Sequence, residues 1–179
     1  MGCGRTGPFF SFEVAGIKPD IVCLSKSIGG FGLPLGLTLL RPELDVWEPG
    51  EHNGTFRGVN PAFVAATTAL RTYWTDDTLE KSTLAKGEQI GRALSELAQT
   101  YPGLRATGRG LARGLRFQTG ELAGQVCRTA FERGLLMETA GPEGEVAKVM
   151  PPLTVTDAEL EEGLAVIAGA VRTTVGDSR

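Results

Sequence analysis

Residues 17–36, IKPDIVCLSKSIGGFGLPLG, join a short apolar run to one lysine and a glycine-rich turn. Pro19 and Asp20 precede the apolar residues 21–24, which predict a buried strand because the run is short and bounded by turn-forming residues. The glycines and the proline that follow exclude a long helix. The stretch therefore brings Lys26 from the end of a strand into a turn.

Small residues surround Lys26, so we expect its side chain to lie close to the backbone. An amine that loses its water is more easily deprotonated, and the neutral amine attacks a carbonyl carbon to form a Schiff base. The alternative is a solvated lysine at the exit of a strand, which composition alone favours because most lysines are exposed. The neighbouring motifs favour the Schiff-base lysine.

The segment GCGRTGPFFSFEVAGIKPDIVCLSKSIGGFGLPLG, residues 2–36, resembles the signature segment of the class III aminotransferases. The family pattern is a G-x-G-R-T-G turn, an acidic residue, a G-I-x-P-D-I strand, an S-K pair and a glycine-rich stretch ending in P-L. The residues that match it in order are Gly2 to Gly7, Glu13, Gly16 to Ile21, Ser25, Lys26, Pro34 and Leu35.

The resemblance implies an α/β fold, namely the C-terminal portion of a fold type I transferase that depends on pyridoxal 5'-phosphate (PLP). It implies that Lys26 is both the catalytic and the cofactor-binding lysine. The sequence of residues 8–28 and 52–58 is most similar to that of family members that transfer an amino group from L-glutamate to L-aspartate 4-semialdehyde in ectoine biosynthesis. Two alternatives stay open: another class III enzyme of the ornithine, 4-aminobutyrate or aminomutase type, or an inactive truncated product.

A polar loop after residue 40 contains the sequence HNGTFRG, residues 52–58. In the family, the threonine of this motif holds the cofactor phosphate of the neighbouring subunit, and the matching residue is Thr55. The resemblance thus implies a homo-oligomer, either a dimer or a dimer of dimers. Val59 departs from the pattern, because the family usually has asparagine at this place.

Lys148 stands before Pro151, at the spacing where the family commonly has an arginine that receives the substrate's α-carboxylate. The resemblance therefore implies that Lys148 binds substrate, with a point charge in place of a two-pronged guanidinium. One alternative is that Lys148 is a solvated lysine on a strand, and Arg57 and Arg113 are other candidates for the carboxylate. The implied substrates are small amino acids and oxo acids.

Residues 2–7 also satisfy G-x-G-x-x-G, the fingerprint of a dinucleotide-binding turn. That fingerprint must follow a strand and open a helix, whereas here no strand precedes it and Pro8 follows without a helix cap. A tight turn under a cofactor pocket fits these residues better.

The net charge of -3, from 18 basic and 21 acidic residues, argues against a nucleic-acid or anionic-membrane partner. The 3 cysteines lie far apart without a C-x-x-C pair, which argues against zinc and against a disulfide framework, so we expect no metal and a reducing compartment. No apolar run approaches the roughly 20 residues that span a bilayer. We therefore expect a cytoplasmic protein.

Helical spacing of apolar residues predicts helices over 61–73, from Asp76 or Asp77 to about residue 100, over 122–132, and over 157–175 capped at Thr156 or Asp157. Strands are predicted over 37–40, 111–117, 135–138 and 146–150. We predict three parts: residues 1–76 as a remnant of a large cofactor-binding domain, 77–101 as an interdomain helix, and 102–179 as a small C-terminal domain.

The sequence opens inside a turn, so we expect it to continue a longer polypeptide that supplies the acid paired with the pyridine nitrogen. An apolar face around Val22, Leu24 and residues 37–40 should then be exposed in this chain. For the same reason we expect the chain alone to form little of the covalent lysine–cofactor species.

Overall fold

The computed structural model describes residues 1–30, 32–55 and 57–176. The chain divides into two compact units, Met1–Gly4 with Pro8–Glu80, and Arg5–Gly7 with Lys81–Arg179. Among the described residues, no helix combines the length and the apolar character needed to cross a bilayer.

The first unit contains a two-stranded antiparallel ladder of β1 (Ile21–Leu24) and β2 (Leu37–Leu40). Both strands lie where the sequence predicts them. The prediction that they are buried is wrong, because within the described chain they pair only with each other and their side chains are exposed or half-buried. A ladder of two strands leaves its faces uncovered unless another layer packs on it.

The expected apolar surface is present, although its members differ in part from those predicted. The side chains of Leu37 and Leu39 are 38% and 39% exposed, and Ile21 is 54% exposed. Val22 and Leu24 are half-buried, contrary to expectation. Leu37 and Leu39 lie two residues apart on one strand and therefore face the same side of the ladder.

The helix α1 (Asn60–Tyr73) begins with a proline in its first turn, as predicted. Its buried residues are small, Ala62 and Ala66, which allow close approach of another backbone. The helix α1 contacts the turn that carries Lys26, a 3-10 helix over Lys26–Gly29.

The helix α2 (Thr78–Thr100) starts where Asp76, one of the two acidic residues predicted to cap it, accepts a hydrogen bond from the backbone N–H of Thr78 at 2.9 Å. The division between the two units falls after Glu80, so most of α2 belongs to the second unit. The assignment of residues 77–101 as an interdomain helix stays a prediction for the whole protein.

The second unit is built on a four-stranded antiparallel sheet. Its elements in chain order are β3 (Arg105–Arg109), β4 (Ala112–Arg116), α3 (Gly120–Glu132), β5 (Glu138–Ala140), β6 (Val146–Val149) and α4 (Asp157–Gly176). The sheet order is β3-β4-β6-β5. Two details correct the prediction: β3 was not predicted, and β5 begins at Glu138 instead of ending there.

A continuous apolar core lies in the second unit, where α2, α3 and α4 bury side chains together with β4 and β6. The largest fully buried apolar side chains are Phe117, Ile90, Leu94, Leu111, Leu115, Val126 and Val171. The small domain predicted over 102–179 therefore shares its core with Ile90 and Leu94 of α2.

Candidate functional site

Lys26 is separated from the end of β1 by one residue, Ser25, and opens the 3-10 turn, as the sequence predicts for a lysine near a strand end. Its backbone is left-handed, with φ 57°, a conformation that side chains other than glycine adopt rarely and at a cost of about 1–3 kcal/mol. Strained backbone of this kind concentrates at functional sites.

The side chain of Lys26 is exposed, so the expectation of an amine shielded from water is wrong for the residues described. The sequence argument was local: small neighbours bring an amine close to backbone, but only a second layer of structure removes its water. The buried residues of the turn are Ile28 and Gly29, which follow the lysine in sequence.

Gly30 fixes the lysine turn against α1. A Cβ at Gly30 would lie 2.7 Å from the carbonyl oxygen of Ala65, and the residue has a φ of +69°. Both the contact and the conformation require glycine. Gly30 thus allows the lysine turn to approach α1 closely. From the sequence alone, the glycines after Lys26 predict only that no long helix forms.

Thr55 lies in the irregular segment before α1 and is exposed. The N-cap of α1 is Val59, whose side chain provides no capping hydrogen bond. The first backbone N–H groups of the helix already donate to the carbonyl oxygen of Val59, so what favours an anion here is the positive end of the helix dipole. Lys26 and Thr55 both belong to the first unit, and Lys148 belongs to the second.

Lys148 forms an ion pair with Glu138, with its Nζ donating to Oε2 at 2.7 Å. The two residues lie directly opposite each other on β6 and β5. The hydrogen bond from Lys148, and then its charge, hold the pKa of the Glu138 carboxyl below its ordinary value. The carboxylate is therefore ionised at neutral pH.

The pair lines a cleft of about 700 Å³ in the second unit, between the β5–β6 strands and the start of α4. Most of its wall is apolar and includes Leu135, Leu160 and Leu164. Clefts of this size with a few polar groups are typical of small-molecule sites.

Arg5, in the G-x-G-R-T-G motif, belongs to the second unit. Its Nη1 donates to the carbonyl oxygens of Leu111, at 3.2 Å, and of Pro151. Burial lowers the pKa of the Arg5 guanidinium from its ordinary value. Gly7 is followed by bends and not by a helix, which agrees with the rejection of a dinucleotide-binding turn.

The sequence analysis did not predict the roles of Glu138, which pairs with Lys148, and Arg5, which donates to two distant carbonyl oxygens. The signal for Glu138 is the turn sequence G-P-E-G at 141–144, which predicts a hairpin between the flanking strands. The register with 138 opposite 148 comes from the loop that the structure shows, 141–145. The strand prediction ended at Glu138 and so concealed this register. No local signal reveals the partners of Arg5, which lie 106 and 146 residues away.

A sequence model of the family Aminotransferase class-III matches residues 1–171, so the chain belongs to the class III aminotransferases. Members of this family depend on PLP. The chain is 62% identical, over 97% of its length, to diaminobutyrate–2-oxoglutarate transaminase of Nocardia farcinica, and 59% identical to the transaminase of the same name of Streptomyces anulatus, also over 97%.

The chain spans 40% and 41% of the lengths of these two relatives. Among solved structures, the crystal structure of ornithine aminotransferase from Toxoplasma gondii ME49 superposes with a TM-score of 0.89 at 27% identity. That match covers 100% of this chain and 42% of the other. The predicted fold class, a portion of a fold type I transferase, is confirmed.

Proposed function

We propose that the whole protein containing this chain transfers an amino group between L-glutamate and L-aspartate 4-semialdehyde, giving L-2,4-diaminobutyrate and 2-oxoglutarate. The observation that carries the proposal is the 62% identity to diaminobutyrate–2-oxoglutarate transaminase over nearly the whole chain. Aspartate semialdehyde is the oxo compound that remains when diaminobutyrate loses its terminal amine, so the reaction follows from that relative's name.

The residues present fit PLP as cofactor. Lys26 offers an exposed primary amine on a backbone held in the left-handed region, beside a turn packed on α1. A primary amine is the group that attaches to the cofactor's aldehyde. Bound PLP supplies an electron sink for the charge that develops on the donor carbon.

Lys26 then has two tasks in the proposed reaction. Its Nζ holds the cofactor before the donor amine arrives, and once released it acts as general base for the proton on the donor carbon. The same Nζ returns a proton as general acid. One flexible side chain at the end of a strand suits both tasks, because the turn fixes its backbone while its amine moves.

Thr55 is proposed to contact the cofactor phosphate of the neighbouring subunit, through its hydroxyl and backbone N–H. The positive end of the dipole of α1, which begins at Asn60, supports an anion site in this region of the chain. This role requires a homo-oligomer, a dimer or a dimer of dimers. A cytoplasmic location belongs to the same proposal.

Lys148 is proposed to bind the carboxylate of the substrate. The cleft that it lines supports this role. Its ammonium already pairs with Glu138, so the carboxylate must share the lysine with that neighbour.

A second candidate is an ornithine-type aminotransferase, which the TM-score of 0.89 to ornithine aminotransferase favours. The identity to that structure is 27%, against 62% to the diaminobutyrate enzyme, so sequence supports the first candidate more strongly. Comparing L-ornithine with L-2,4-diaminobutyrate as amino donor to 2-oxoglutarate separates the two.

The substitution Lys26→Ala in the complete subunit tests the proposal. We expect the production of diaminobutyrate from glutamate and aspartate semialdehyde to fall by at least about 1,000-fold. The reason is that the amine that holds the cofactor and the general base are lost together. Mass spectrometry of the protein after borohydride reduction should find the cofactor attached at Lys26 in the wild type only.

The matched control is Lys18→Ala, which removes another exposed lysine eight residues earlier and should leave the rate unchanged. Full activity in Lys26→Ala would contradict the assignment of this residue. Absence of transfer from diaminobutyrate to 2-oxoglutarate in the wild type would contradict the reaction itself.

A further inference from the structure

The ion pair between Glu138 and Lys148 presents two opposite charges side by side on one face of the β5–β6 hairpin. The residues are register partners in an antiparallel ladder, so their side chains project to the same side. Their terminal atoms are 2.7 Å apart.

Each member of the pair keeps unused hydrogen-bonding capacity. The side chain of Glu138 is 72% exposed and that of Lys148 is 34% exposed. A lysine ammonium has three donors and a carboxylate has about four acceptor sites, of which the ion pair uses one each. Both groups can therefore bind a ligand without first separating.

The α-amino-acid group has a matching arrangement of charge. Its ammonium and its carboxylate are bonded to one carbon, so they lie as close together as the charges of the pair. A ligand that carries only a carboxylate gains the attraction of Lys148 but meets the repulsion of Glu138. The pair thus favours ligands that carry an α-ammonium over ligands that carry only a carboxylate.

We propose that Glu138 and Lys148 together bind the α-amino-acid head of a substrate whose reacting group lies at the other end of a short chain. Lys148 donates to the α-carboxylate, and Glu138 accepts from the α-ammonium. The inference rests on the proposed function, since diaminobutyrate and aspartate semialdehyde are both molecules of this class.

The cleft beside the pair supports this assignment. Glu138 and Lys148 both line it, so a small ligand has room beside the two charges. Glu159, another carboxylate of the lining, is already engaged by the backbone N–H and the hydroxyl of Thr156. Glu138 is the lining carboxylate paired with Lys148, so it can accept from an ammonium bonded to the same carbon as the carboxylate that Lys148 binds.

The experiment measures two amino donors with the wild type and with Glu138→Gln, each as the complete, PLP-loaded subunit. L-2,4-diaminobutyrate has the α-ammonium, and 4-aminobutyrate is the same molecule without it. We expect the ratio of kcat/KM for diaminobutyrate to that for 4-aminobutyrate to fall roughly five- to tenfold, the size expected for an open charged hydrogen bond. The change should appear in KM, with kcat for diaminobutyrate nearly constant.

Glu143→Gln is the matched control, because it makes the same substitution in the turn of the same hairpin, away from Lys148. It should leave the ratio unchanged. Where turnover of 4-aminobutyrate is too slow to follow, its inhibition constant against diaminobutyrate replaces its kcat/KM. Thermal unfolding of each variant checks that the hairpin is intact.

If the wild type is active and Glu138→Gln changes kcat/KM for both donors equally, or for neither, this inference is overturned and the proposed function stands. A wild type that does not use diaminobutyrate at all overturns the proposed function, and the inference with it.

Discussion

Arg5 shows how a single side chain connects distant parts of the sequence. Its guanidinium donates to the carbonyls of Leu111 and Pro151, and its own carbonyl accepts from the backbone N–H of Leu111 at 3.0 Å. Pro151 follows β6, the strand that carries Lys148. The turn motif is readable from sequence, but the contacts that give Arg5 its role are not.

Substitution Arg5→Ala should lower the free energy of unfolding of the second unit by about 1–3 kcal/mol, because two carbonyl oxygens lose a charged donor in a partly buried setting. Urea unfolding of the chain measures the change. The control Arg105→Ala removes an exposed arginine from β3 and should cost less than about 0.5 kcal/mol. Equal effects of the two substitutions would contradict the role assigned to Arg5.

The helix α4 is started by reciprocal hydrogen bonds between Thr156 and Glu159. The backbone N–H of Glu159 donates to Oγ1 of Thr156 at 3.2 Å, and the backbone N–H of Thr156 donates to Oε2 of Glu159 at 2.8 Å. This is a capping box, and it shows that Thr156 rather than Asp157 is the cap. The sequence predicted the helix and left the two capping residues open.

We expect Thr156→Ala to destabilise the second unit by about 1 kcal/mol in thermal or urea unfolding, the usual cost of losing such a cap. Thr154→Ala is the control, because Thr154 is exposed two residues earlier and lies outside the capping box. The hydrogen bonds from Thr156 also hold the pKa of the Glu159 carboxyl below its ordinary value.

A lowered pKa in the folded state gives this capping interaction a definite pH dependence. The stabilisation by Glu159 is complete above the ordinary pKa of a glutamate and is lost as the pH falls through the lowered value. The difference in stability between the wild type and Glu159→Gln should therefore be largest at neutral pH and shrink in acid. A difference that grows in acid would contradict the capping role.

Elements with strong periodicity were predictable, and elements without it were not. The helices and the strands β1, β2 and β6 lie close to their predicted bounds, because apolar spacing and turn residues mark them clearly. The strand β3 has the sequence RATGR, which lacks apolar alternation and contains a glycine, so only its pairing with β4 makes it a strand. The site residues Lys26, Thr55 and Lys148 came from motif resemblance, and their partners required the fold.

At the scale of the whole molecule, the two units differ sharply in their apolar cores. Among the described residues, the buried apolar side chains of the first unit are few, and all except Ile28 are small: Cys3, Ile28, Ala62 and Ala66. The second unit buries a continuous cluster from its helices and its sheet. Since burial of apolar area dominates folding free energy, the second unit should be much more stable than the first.

The three cysteines allow this difference to be measured in one experiment. Cys23 is exposed on β1, whereas Cys3 lies buried in the first unit and Cys127 in the core of the second. Burial also raises the pKa of both buried thiols, which lowers their thiolate fraction and slows their labelling in the folded chain. Cys23 should therefore react with a thiol reagent without denaturant.

Pulse labelling along a urea gradient, read by peptide mass spectrometry, should then show Cys3 becoming reactive at a lower urea concentration than Cys127. The reason is that few apolar contacts protect Cys3, whereas Cys127 is protected until the cluster around Phe117 and Val126 opens. Cys23→Ser provides the control, because it should remove the rapid labelling and leave both midpoints in place. A common midpoint for Cys3 and Cys127 would mean that the two units unfold as one, and the distribution of buried apolar area would then not govern the stability of this chain.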